Sequence, residues 1–297
     1  MAAGGAAVLL AVGMLLLASS GGPQIGFQSG RLWAQADRGP VESSSQVVGE
    51  NASRTLEHVA YQSGGATVYA LLRLPVRDSL SPAFIVLPAR TVPKDAPQEM
   101  ALSEMLVGMG YAALTLDQRN QGAGVGETGG PEVSLAADYD TLASGGTPVQ
   151  ALRVLDILRA VDLLAQDPRI NPSRIYVLGE SMGGQYALLA ASLEPRVKGV
   201  VLFSGAGFLG DYSGQPSGLR DFLSALDPEN YLASIAGRPL AFVHATADAI
   251  VPIDLALERY DRSPQPKQFW EVNGSVHALY DSTVDASLRQ AVAFAAG

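Results

Sequence analysis

Five residues, Gly179-Glu180-Ser181-Met182-Gly183, constrain this chain more than any other stretch. Ahead of them, Ile175 to Leu178 is a β-branched and aliphatic run that reads as a buried strand. Behind them, Gln185 to Ala191 is rich in Ala and Leu and reads as a helix. A chain that passes from strand to helix in so few residues forces the central one into strained backbone geometry. Glycine on either side removes side chains that would clash, and the Ser181 hydroxyl is lifted to the strand tip. The competing reading is a Gly-rich turn in which Ser181 only caps the helix. A base and an acid placed later in the chain decide between the two.

Composition limits the alternatives. The 297 residues are 47% hydrophobic and 16% charged, enough for a well-cored globular protein. A formal charge of −9 leaves no basic stripe to neutralise phosphates, which argues against nucleic acid as a partner. The chain has no cysteine, which excludes disulfides, thiolate nucleophiles and Cys-ligated zinc together. Its three histidines, His58, His244 and His277, are too few for a histidine-rich metal site.

Ala6 to Ala18 is almost wholly apolar, and no Lys or Arg precedes Arg31. The run is shorter than the roughly 20 residues that span a bilayer and fits the apolar part of a secretory signal peptide. Ala34-Gln35-Ala36 offers a cleavage site, with Ala18-Ser19-Ser20 as the nearer alternative. Residues 1–36 are therefore expected to be a signal peptide and 37–54 a linker. The sole membrane contact expected is through the signal, and the product is an exported, periplasmic or secreted protein.

From there strands alternate with helices. Thr55–Gln62 and Thr67–Leu74 read as a hairpin around Ser63-Gly64-Gly65. Further strands are expected at 83–87, 111–116, 175–178, 197–203, 240–245 and 268–272. Helices are expected at 97–108, 148–165, 185–191, 253–259 and 286–295, with short ones near 219–226 and 228–235. This predicts one α/β domain over 55–297: a mostly parallel eight-stranded sheet with helices on both faces and an antiparallel N-terminal edge. Chemistry in such sheets gathers at the carboxyl ends of the strands. Residues 205–237 are expected to be a small lid, with Phe208, Tyr212, Phe222 and Tyr231 either setting specificity or simply packing.

A serine hydroxyl is a poor nucleophile until a base takes its proton, and an imidazole base needs a carboxylate to hold its tautomer. His58 lies in an edge strand and reads as a surface residue. His244 lies inside an apolar strand and reads as a strand-end residue satisfied by backbone. His277 follows the last strand in a loop able to fold back over Ser181, and is the expected base. Asp248, just past the strand 240–245, gives the order Ser…Asp…His and is the expected acid, with Asp211 as runner-up. Asp254 and Glu271 read as surface charges.

The order and spacing of Gly179-Glu180-Ser181-Met182-Gly183, Asp248 and His277 resemble the α/β-hydrolase superfamily. Asp117-Gln118-Arg119-Asn120-Gln121-Gly122 is similar to the D-x-R-G-x-G loop of its dienelactone hydrolase-like and prolyl oligopeptidase-like members. Asp167-Pro168 through Arg174-Ile175 resembles their lead-in to the nucleophile strand, and His244 to Pro252 their acid loop. The resemblance covers about residues 55–297. It implies a serine hydrolase of carboxylic esters, of the short-acyl esterase type, working through an acyl-serine with no metal or organic cofactor, on a small-molecule ester. A peptidase and a non-catalytic binding protein of the same fold are the alternatives. Where superfamily members commonly carry His-Gly, this chain has Pro88-Ala89-Arg90. Pro88 has no N–H, so Ala89 or Arg90 is expected to complete the oxyanion hole beside Met182 N–H.

Overall fold

The apolar runs assemble into one twisted sheet in a computed structural model of the chain, which describes residues 24–205 and 212–297. In chain order the strands are β1 (Ile25–Gln28), β2 (Arg31–Ala34), β3 (Ser43–Glu50), β4 (Arg54–Ser63), β5 (Ala66–Pro75), β6 (Ser81–Leu87), β7 (Ala112–Leu116), β8 (Ile170–Glu180), β9 (Val197–Phe203), β10 (Leu240–Ala245) and β11 (Lys267–Val272). The helices are α1 (Pro97–Gly108), α2 (Leu135–Ala143), α3 (Val149–Gln166), α4 (Met182–Leu193), α5 (Ser217–Leu226), α6 (Ile253–Arg262) and α7 (Asp285–Ala296), with a 3₁₀ helix at Pro228–Ile235.

The main sheet has the order β11-β10-β9-β8-β6-β7-β5-β4-β3. The first six of these run parallel, and β5, β4 and β3 add an antiparallel edge. Nine strands rather than eight are present because β3 joins the edge. Successive residues of β6 show why the parallel strands are apolar throughout. Ile85 and Leu87 pack with Val154, Leu158 and Tyr186 of α3 and α4, whereas Phe84 and Val86 pack with Leu102 and Leu106 of α1 and Leu288 and Val292 of α7. The chain leaves β6 toward β7 on one side and returns through α3 to β8 on the other. That reversal opens a crevice at the carboxyl ends of β6 and β8.

The span expected to be signal tail and linker carries three of these strands. β1 and β2 form a hairpin whose turn residues, Ser29 and Gly30, have φ of 51° and 70°, as the tightest hairpin turns require. Ile25 and Leu32 are buried, and Leu32 N–H donates to the Tyr231 hydroxyl at 2.7 Å. Behind the hairpin, buried Arg38 donates to Asp162 of α3 at 2.9 Å and Glu194 after α4 at 2.5 Å. β3 corrects the expectation of an unstructured linker. Its sequence Ser-Ser-Ser-Gln-Val-Val-Gly-Glu buries no residue, so it shows no period-two pattern, and it is held by the backbone ladder to β4 and by the Ser45 hydroxyl donating to Glu57 at 2.5 Å. The ladder breaks at a bulge between Val47 and Gly49.

The expected lid is only partly a lid. Tyr231, Leu232 and Ile235 of the 3₁₀ helix pack into the main core against α4, and Phe222 of α5 meets Phe27 and Tyr139. These aromatics are packing residues. Phe208 and Asp211, like the apolar run Ala6–Ala18 and the Ala18-Ser19-Ser20 site, lie outside the described residues.

Candidate active site

β8 ends at Glu180 and α4 begins at Met182, so a single residue, Ser181, makes the turn. Its φ of 49° and ψ of −113° lie where a residue with a side chain is strained. A Cβ at Gly179 would collide with the Gly183 carbonyl, and one at Gly183 with the Leu87 carbonyl, so both flanking glycines are demanded by backbone contact. Ser181 N–H donates to Phe203 O at 2.8 Å and Gly184 N–H to Ser181 O at 3.0 Å, pinning the turn between β9 and α4.

The loop after β11 brings an imidazole to this turn. His277 Nε2 lies 2.9 Å from Ser181 Oγ, and its Nδ1 lies 2.7 Å from Asp248 Oδ2. The Asp248 side chain is fully buried, and its Oδ1 accepts from the N–H groups of Ile250 at 2.9 Å and Val251 at 3.0 Å. With Nδ1–H donating to that carboxylate, Nε2 is left to accept the serine proton. Ala278 N–H donates to the buried Ser204 Oγ at 3.0 Å and Ala247 N–H to Gly274 O at 2.8 Å, so both loops are tied down.

The other sequence candidates lie elsewhere. His244 is buried, with Nε2 2.7 Å from Val251 O and 3.5 Å from Asp248 Oδ2. Burial pushes its imidazole below the usual range, which keeps it neutral beneath the acid loop. His58 pairs through Nε2 with Glu127 at 2.6 Å, and Glu127 in turn holds Lys94 Nζ at 2.5 Å. Asp254 and Glu271 are exposed.

Above Ser181 lies a cleft of about 480 Å³. Met182, Tyr186, Val251 and Leu135 supply its apolar surface, and Arg90, Gln121, Glu132, Gln150, Arg153 and Gln185 its polar surface. Of these polar residues the sequence singled out only Arg90, for its backbone N–H, and Gln121, as part of a family-like loop; Glu132, Gln150, Arg153 and Gln185 carry no local signal, because the fold alone gathers them here. Arg90 is paired with Glu132 across the mouth. Arg153 is fixed by Arg119 O at 3.0 Å, Asn120 O at 2.8 Å and the Tyr186 hydroxyl at 2.9 Å. The segment from Glu132 to Leu135, leading into α2, walls the cleft where a lid of residues 205–237 was expected to. Ser134 caps α2 by accepting from Ala137 N–H at 3.2 Å, and that serine ahead of good helix formers was the signal available for it.

At the end of β6, three successive N–H groups have different surroundings. Ala89 N–H lies near the buried Glu180 carboxyl without a hydrogen bond to it, and Thr91 N–H donates to Gln121 Oε1 at 3.1 Å. Arg90 lies between them and lines the cleft with Ser181. Met182 is the first residue of α4, so its N–H has no helical carbonyl to bond.

Known proteins share this architecture. An acetyl xylan esterase from a Paenibacillus species superimposes with a TM-score of 0.70 at 20% identity, over 86% of this chain and 90% of that one. An acetyl xylan esterase from a Thermoanaerobacterium species gives 0.68 at 18%, over 84% and 86%. In sequence, the uncharacterized protein YfhR of Escherichia coli is 27% identical over 157 residues, which is 51% of this chain and 55% of YfhR. The chain thus spans about half the length of the curated relatives it matches. The sequence model of the dienelactone hydrolase family matches residues 70–272, from β5 to the end of β11. That span holds the nucleophile turn, the acid loop and seven of the nine strands of the main sheet: the chain belongs to the dienelactone hydrolase family.

Proposed function

We propose that this chain is an exported serine esterase for short-acyl carboxylic esters, with Ser181 as nucleophile, His277 as base and Asp248 as the group that orients it. The observation that carries the reading is the unbroken relay from Ser181 Oγ to His277 Nε2 at 2.9 Å and from Nδ1 to Asp248 Oδ2 at 2.7 Å. Ser181 Oγ attacks the ester carbonyl as its proton passes to His277 Nε2. The imidazolium, stabilised by Asp248, then returns that proton to the departing alkoxide, leaving an acyl-serine and a free alcohol. Water, deprotonated by the same imidazole, attacks the acyl-serine, and the proton goes to Ser181 Oγ as the acid departs. No step draws on a metal or an organic cofactor.

The tetrahedral oxyanion is held by Met182 N–H and Arg90 N–H, each worth about 2.7–4 kcal/mol. Arg90 is preferred to Ala89 because Arg90 lines the cleft with Ser181 and Ala89 does not.

The cleft's volume and polar rim support small polar esters, and the acetyl xylan esterases of similar fold act on acetyl groups. Hydrolysis of p-nitrophenyl esters is expected to fall at least tenfold in kcat/KM between acetyl and octanoyl, with peptide-nitroanilides cleaved at least a hundredfold more slowly than the acetyl ester. A flat or rising chain-length series, or preferred anilide cleavage, contradicts the short-acyl esterase assignment.

Export follows from the apolar run Ala6–Ala18. Cleavage after Ala36 would remove Ile25 and Leu32, two buried residues of the hairpin that meets Tyr231. The mature N-terminus is therefore expected before Gln24, near Ala18-Ser19-Ser20. Mass spectrometry of the exported protein checks it, and a mature chain starting at Asp37 rules it out.

A further inference from the structure

Beside the nucleophile, Glu180 carries a carboxyl that the acyl-transfer steps do not use. Its side chain is fully inaccessible, as is that of Glu99, in the first turn of α1. All four of their carboxylate oxygens are buried, and none accepts a hydrogen bond. The two carboxyls face one another, and among the described residues no Lys, Arg or His acts on either. Glu180 lies near the Ala89 N–H at the end of β6, without a hydrogen bond to it, and beside Glu99 on α1, while among the described residues β9 and α4, packed on its other sides, bring no ionisable group to the pair.

Two buried carboxylates with no counter-charge would repel one another and leave their lone pairs unsatisfied. One proton between them removes both penalties, because a carboxylic acid can donate to the neighbouring carboxylate. We propose that Glu180 and Glu99 share a proton and act as a positioning pair. They clamp the peptides of Ala89 and Arg90 against the Ser181 turn and keep a second negative charge away from the developing oxyanion. Glu180 is the member that holds the proton. Glu99 takes the negative charge because it sits at the positive end of α1. Burial first, and then the Glu99 charge, push Glu180 well above the ordinary carboxyl range; burial likewise raises Glu99.

The sign of the pH effect follows. With the folded-state value raised, the pair keeps its proton at neutral pH and loses it only as the pH rises through that raised value. The second charge then drives the two side chains apart beneath the oxyanion site. Activity is therefore lost on the alkaline side. This rests on Ser181 acting on an ester, and the tests separate the two claims.

The activity test is the pH profile of kcat for p-nitrophenyl acetate, corrected for spontaneous hydrolysis, in wild type, E180Q and E99Q. The two substitutions are isosteric, yet opposite shifts are expected. E180Q keeps a donor to Glu99 and cannot ionise, so its alkaline limb moves up by at least one pH unit. E99Q removes the repulsion that holds the proton on Glu180, so its limb moves down by a similar amount. Limbs that coincide, or that shift in the same direction, overturn the pair. The second test needs no turnover: the infrared difference spectrum of wild type minus E180Q at neutral pH is expected to show a buried protonated carboxylic acid, and its absence overturns the pair. Fluorophosphonate labelling of Ser181 reports separately on the nucleophile, so a failure of the esterase reading leaves the infrared result to judge the pair.

Discussion

Ser181→Ala is expected to lower kcat for p-nitrophenyl acetate by about 10⁴- to 10⁶-fold and to abolish fluorophosphonate labelling, with the melting temperature nearly unchanged. The loss is large because no neighbouring group can replace the hydroxyl. The chain has no cysteine, and His277 Nε2 has Ser181 Oγ as its partner over the cleft. Stability is preserved because the turn is held by backbone groups, Ser181 N–H on Phe203 O and Gly184 N–H on Ser181 O, which alanine retains. The residual rate over water measures what Met182 and Arg90 N–H supply alone. A variant that keeps a tenth of the wild-type rate would remove Ser181 from the chemistry.

The second large effect is expected from Asp248→Asn, about 10⁴-fold in kcat. The carboxylate oxygens have separate tasks, Oδ1 accepting from Ile250 and Val251 N–H and Oδ2 facing His277 Nδ1. An asparagine keeps its carbonyl on the two amides, because the alternative would oppose two donors to its own NH₂. Its NH₂ then faces Nδ1 and selects the tautomer that carries the proton on Nε2, which cannot accept from Ser181. Fluorophosphonate labelling should slow in parallel with turnover. Labelling at the wild-type rate contradicts the orienting role, and the same collapse in Asp211→Asn would move that role to Asp211.

How much of this was legible in the sequence depended on what each residue had to do. β9, β10 and α1 fall on their expected bounds, because strands covered on both faces read as continuous apolar runs, and α1 opens at a proline and carries Leu102, Met105 and Leu106 at helical spacing. Ser181, Asp248 and His277 stood out through local turn chemistry and through the scarcity of histidine. β3 gave no signal because it buries nothing, and β1 and β2 were obscured by following an apolar leader-like run. Glu132, Gln150, Arg153 and Gln185 converge on the cleft from distant segments, and no local pattern marks them. Glu99 and Glu180 were invisible for a related reason. Each is unremarkable in its own element, and only the assembled fold shuts both away from water and cations.

The border of the sheet at β3, which no strand or helix covers among the described residues, has its own consequence. Unpaired amides there offer a template on which a foreign strand could continue the ladder. Because Val48 is extra, a visitor laid along Ser43 to Val47 would lose step at the bulge, before it reached Glu50. So short an in-step run is too small to join two molecules in water. The flaw in the ladder thus makes the border self-limiting, and the molecule needs no capping helix there.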